Sequence, residues 1–119
     1  MKTLTRDDIL SAEDLKSERV KVPEWGGEVI VREMTGTERD AWETSVVSTV
    51  GNQVKINAVN MRAKLAAVSM VDEKSKRLFS DKDVVALGKK SSAALDRVVD
   101  VAKRLSRIGE DELDKLGKD

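Results

Sequence analysis

The stretch Val20-Lys21-Val22-Pro23-Glu24-Trp25-Gly26-Gly27-Glu28-Val29-Ile30-Val31-Arg32 decides the fold class. Val20 and Val22 alternate with Arg19 and Lys21, and Val29 and Val31 are interleaved with Glu28, Ile30 and Arg32. A period of two puts alternate side chains on one face of a strand. Gly26-Gly27 offers the positive φ angles of a tight reversal, and Pro23 limits pairing at that end. Residues 18–34 therefore read as an antiparallel β-hairpin.

On either side of this hairpin the pattern is helical. Thr5-Arg6-Asp7-Asp8 is a capping-box sequence with Asp in the fourth position, and it predicts a short helix over about 6–15 that buries Ile9. Thr37-Glu38-Arg39-Asp40 predicts a second start, with a helix over about 38–50. Its stripe is Trp42, Val46 and Val50, and Gly51-Asn52 ends it. A third helix over about 55–71 carries two apolar stripes, so it reads as central and packed on both sides. Residues 71–79 read as a turn and a short extended piece. Ser80-Asp81-Lys82-Asp83 opens a short helix over about 81–88, and Leu95, Val98, Val99, Ala102 and Leu105 mark another over about 91–106. Residues 109–119 read as a flexible tail with a last helical turn. The expected architecture is a mostly helical α+β single domain, residues 1–119, with one N-terminal antiparallel hairpin.

Composition narrows the chemistry. The chain has 119 residues, enough for one core without metal or disulfide support. It is 39% apolar and 37% charged, which argues for a folded but highly charged body. Cys and His are absent, so disulfides, Cys or His zinc sites, Cys nucleophiles and His-based triads are excluded. Lys and Arg number 22, as do Asp and Glu. That balance gives no general pull toward nucleic acid or an acidic membrane. The only aromatics are Trp25, Trp42 and Phe79, too few for a base-stacking surface. No apolar run reaches the ~20 residues that span a bilayer, and the charged start has no signal core, so the expected compartment is the cytoplasm.

The charges are banded. Residues 1–44 carry a net −4, residues 55–107 a net +7 and residues 110–119 a net −3. The simpler reading is surfaces that neutralise one another within the fold. The sharper one is a basic middle, beginning with Lys55 and Arg62, offered to an acidic partner. Acidic pairs such as Asp7/Asp8 and Asp72/Glu73 fall near helix starts or in loops, where solvated caps explain them better than acid–base catalysis. Residues 72–83 lack the ordered ligand spacing of a calcium loop. Gly26-Gly27 lacks the Lys-Ser or Lys-Thr of a phosphate loop. Ser91 or Ser92 with Lys89 or Lys90 is better read as a helix start than as a nucleophile and its base. No catalytic, metal or cofactor residue is expected.

The aromatics divide. Trp42 belongs to an apolar helical stripe and reads as core. Phe79, just before Ser80, has the place of a hydrophobic staple against Val84. Trp25 at the hairpin tip has two readings, a partner anchor or a ring folded back over the hairpin's apolar face. Trp25, Lys55 and Arg62 are the candidate partner-binding residues.

The order of these pieces resembles a known family. The run from Val20 to Glu43, with Val71-Asp72-Glu73, Arg77-Leu78-Phe79-Ser80-Asp81-Lys82-Asp83-Val84, Ala94-Leu95 and Leu105-Ser106, is similar to the tail assembly chaperones of long-tailed (siphovirus-type) phages and prophages. The resemblance covers most of residues 5–108. It implies a non-enzymatic protein of the infected bacterial cytoplasm that binds the tape-measure protein and keeps it soluble. Such a protein is absent from the mature virion. It also implies an open question of a longer, frameshifted form that recruits tail-tube protein. Neither nucleic acid nor membrane is an implied partner, and self-association stays open. The alternatives are a structural or connector component of the tail and a bacterial adaptor domain.

Overall fold

The computed structural model describes residues 1–56 and 59–109, with the backbone alone for 48–50 and 54–56. Strands β1 (Ser17–Val22) and β2 (Gly27–Arg32) form the expected hairpin, with Val20 opposite Val29 and Val22 opposite Gly27. Val20 and Val22 face the core while Arg19 and Lys21 stay exposed, so the period of two holds in β1; in β2 it does not, since the adjacent Val31 and Arg32 are both buried. The reversal is looser than two glycines suggest. A 3₁₀ turn, Pro23–Trp25, fills it, and only Gly26 takes a positive φ, +76°. Gly27 already belongs to β2.

Four helical expectations change. Helix α1 (Arg6–Ser11) starts at the expected capping box, with the Asp8 N–H donating to Thr5 Oγ1 at 3.2 Å and the Thr5 N–H to Asp8 Oδ2 at 3.0 Å. It stops well before residue 15 and leaves Ile9 58% exposed, so it buries nothing. Helix α2 (Gly36–Val46) is capped two residues earlier than expected, because Thr35 and not Thr37 closes the box with Glu38. It also ends at Val46. The β-branched run that follows loses side-chain freedom in a helix and suits a strand. Strands β3 (Val47–Val50) and β4 (Gln53–Ile56) form a second hairpin, and Gly51-Asn52 is its two-residue turn, not a helix stop. The long central helix is therefore shorter than 55–71: α3 spans Met61–Ser69. Met70 and Val71 leave it as β5 (Met70–Val71) and pair with Val31 and Ile30 on the free edge of β2. The first sheet thus has three strands in the order β1-β2-β5.

The remaining starts follow the sequence. Ser80 and Asp83 close a capping box over a 3₁₀ turn that runs into α4 (Val84–Leu87). Ser91 Oγ accepts from the Ala94 N–H at 3.2 Å at the head of α5 (Ser92–Leu105). The expected last turn beyond residue 109 lies outside the described residues.

Helix α5 packs on β1 and β2 with one side and on α3 with another; α3 in turn meets α2 and α4. This placement buries α3 nearly all round: Ala63, Leu65, Ala66 and Ala67 are at most 1% exposed. Opposite them lie Ala94, Leu95, Val98 and Ala102, also buried. Alanines on both helices let the backbones approach closely, and the valines and leucines fill what remains. Leu105 is only half-buried at the edge of this core.

One charge is buried with the apolar residues. Arg32 donates from Nη2 to both carboxylate oxygens of Glu38, at 2.7 and 2.9 Å, and from Nη1 to the Ser75 carbonyl at 2.8 Å. Glu38 is also the capping-box residue of α2. One guanidinium therefore ties the end of β2 to the start of α2 by an ion pair and to the turn after β5 by a hydrogen bond.

Candidate binding surface

The described residues hold no cluster of three or more Asp, Glu, His or Cys able to take a metal ion. Two carboxylates with displaced pKa values are displaced downward. Asp8 is held low by the Thr5 N–H first, then by the Thr5 hydroxyl and Lys2. Glu24 is held low by its own backbone N–H first and then by the Arg97 guanidinium. Both shifts favour the ionised form, the opposite of what a general acid needs.

Three recesses of the surface lie around α3 and α4. One, a cleft of about 470 Å³, lies between α2, α3 and α4. Ala41, Trp42, Val68, Val84 and Val85 supply its apolar lining. Val85 is 62% exposed there, while Trp42 is buried beneath it. Glu38, Lys64, Arg77 and Asp81 are its charged groups. Trp42 also borders a groove of about 460 Å³ between α3 and α5, with Met61, Leu65 and Val99. On the far side of α4, Trp25, Phe79, Ala86 and Leu87 line a smaller pocket of about 290 Å³, together with Asp83 and Lys90.

Trp25 is half-buried and packed against the core, so its ring is folded back. It meets the surface of the body near α4 and Phe79, away from a free hairpin tip. Phe79 joins Trp25 and Leu87 in that pocket. Trp42 is core, at 4% exposed. Neither indole Nε1–H has an acceptor among the described residues. Arg62, on the first turn of α3, donates from Nε to Asp96 of α5 at 2.8 Å and borders the α3–α5 groove. Trp25 and Arg62 therefore line different recesses. Lys55 lies on β4 opposite Ser48, and its side chain falls outside the described residues.

Much of the basic middle is answered within the fold. Arg97 reaches Glu24 at 2.9 Å and Arg104 reaches Glu18 at 2.6 Å, so two cations of α5 meet acids of the first hairpin. A feature the sequence reading missed is the apolar face of the N-terminal arm. Leu4, Ile9, Leu10 and Leu15 are 40–67% exposed on a segment that buries none of its helical residues. The missed cleft residues Val84 and Val85 had one signal, a pair of adjacent valines in a helix too short to bury both.

The described residues thus form an α+β body with apolar recesses around α3 and α4. The model of the phage tail assembly chaperone family matches residues 6–116, and the chain belongs to that family. Among solved structures, the bacteriophage HK97 tail assembly chaperone is similar in fold, with a TM-score of 0.60 and 20% sequence identity. The match covers 87% of this chain and 95% of the HK97 chain. No curated protein sequence matches significantly.

Proposed function

We propose that this protein binds the tape-measure protein of a long-tailed phage in the host cytoplasm. It holds that protein soluble until tail-tube subunits enclose it, and it stays out of the mature virion. The observation that carries the reading is family membership over residues 6–116. The physical support is the run of recesses joined by α4 and Trp42. A holding chaperone needs apolar surface that a helical client can cover, and it needs no reacting group. No helix among the described residues is long and apolar enough to cross a membrane. Trp25 and Arg62, in the two outer recesses, and Lys55 on the second hairpin are proposed contact residues on this reading.

The test is co-expression with the tape-measure protein of the same phage, scored for client solubility and for co-purification. Both should rise with this chain present. A client equally soluble alone, or one that never co-purifies, overturns the reading. Mass spectrometry of purified virions should find the tape-measure protein without this chain; recovery of both would make it a structural tail component.

A further inference from the structure

The cleft between α2, α3 and α4 has an apolar floor and an uneven charge balance around its rim. Glu38 is taken by the bidentate pair with Arg32 at 2.7 and 2.9 Å and by the Thr35 N–H at 2.9 Å. Asp81 is taken by Arg77 at 3.2 Å, and Arg77 also donates to the Ala67 carbonyl. Lys64 is different. Its Nζ rests on a neutral acceptor, the Ser45 carbonyl at 2.9 Å, and no carboxylate among the described residues pairs with it. Among the described residues, one ammonium therefore stands uncompensated beside the apolar floor. The floor itself is open, since Ala41 is exposed and Val85 is 62% exposed. At about 470 Å³ the cleft has the size of an ordinary ligand recess, and its walls are helices, the setting of helix-in-groove recognition.

We infer that this cleft seats one amphipathic helix of a partner, with large apolar side chains at i, i+3 or i+4 on Val85, Ala41 and Val68, and a carboxylate beside them on Lys64. The apolar contact supplies most of the affinity; the carboxylate–Lys64 pair fixes which way the helix lies. This rests on the reading of the protein as a holding chaperone and names the seat and the chemistry of the client segment.

Two synthetic 20-residue helical peptides test it. They share one Leu stripe and differ in a single flanking residue, Glu or Lys. Binding is read from the fluorescence of Trp42 in a Trp25→Phe background, where Trp42 is the sole tryptophan. The Glu peptide should bind about five- to tenfold more tightly than the Lys peptide. Lys64→Glu should reverse that order. Val85→Asp, a change at an exposed position, should abolish binding of both while circular dichroism shows the fold retained. Equal binding of the two peptides, a preference that survives Lys64→Glu, or binding unchanged in Val85→Asp overturns the inference. If the chain competes with the peptide as its own concentration rises, and removal of residues 1–15 ends that competition, the occupant is the arm of a second copy and the inference is wrong. Co-expression separates this result from the broader reading. A Val85→Asp chain that still solubilises the tape-measure protein removes the cleft and leaves the chaperone; a wild-type chain that binds the Glu peptide but solubilises nothing removes the chaperone and leaves the cleft.

Discussion

Arg32 shows how one residue links three segments. Its guanidinium is buried and fully used: Glu38 takes Nη2, the Ser75 carbonyl takes Nη1 and the Glu33 carbonyl takes Nε. Removing only the acid leaves a buried cation without its partner. Glu38→Ala should therefore lower stability by about 3 kcal/mol, seen as a fall in the urea midpoint, because it also removes half of the α2 capping box. Arg32→Met should cost less, since it removes the charge along with its need for a partner. Glu24 gives a second residue-scale expectation. Its folded pKa is depressed, so its contribution is present above the ordinary glutamate value and is lost as pH falls through the folded value. Glu24→Gln should flatten the dependence of melting temperature on pH below about pH 4.5 and leave the curve at pH 7 nearly parallel to wild type.

At the scale of elements, α3 and α5 hold the fold together and the second hairpin stands apart. Leu95 is 4% exposed between the two helices and the sheet. Leu95→Ala should cost about 2–5 kcal/mol by chemical denaturation, a large part of a small domain's stability. The β3–β4 hairpin is different, because a two-stranded ribbon is marginal in water unless something packs on it. It has its own two-stranded ladder and joins neither edge of the first sheet. Gly51 in its turn has φ +63°, which other residues adopt only at a cost. Gly51→Val should loosen this ribbon, raising amide hydrogen exchange at residues 47–56, while exchange in α3 and α5 stays unchanged. A parallel rise across both helices would show that the hairpin and core unfold together.

Over the whole molecule, charge balance governs how binding should respond to salt. The net charge is zero, and two cations of α5, Arg97 and Arg104, are answered by acids of the first hairpin. Long-range attraction to an acidic client is weak as a result, and apolar burial should dominate affinity. Raising salt from about 0.05 to 0.5 M should weaken client binding by less than tenfold, measured by calorimetry. A loss of several hundredfold would mean that charge, and not the recesses, carries the association.

What the sequence determined by itself was local. The period of two before Pro23, the boxes at Thr5 and Ser80, and the stripe of Leu95, Val98 and Ala102 each depend on neighbours a few residues away, and each is present where it was read. The absence of Cys and His likewise fixed the chemistry that was out of reach. Tertiary structure decided the rest. Residues 47–56 carry an apolar spacing compatible with a helix, and Gly51-Asn52 fits a helix end as well as a hairpin turn; pairing between β3 and β4 chose between them. Met70 and Val71 continue a helical stripe in sequence, yet the unpaired backbone of β2 draws them into the sheet. The cleft is the extreme case. Ala41, Lys64, Val68 and Val85 come from three helices, and none differs by sequence from an ordinary helical surface or core residue. Their meeting exists only because α3 is packed against both α2 and α4, a consequence of how helices fill space around a shared core and not of any motif.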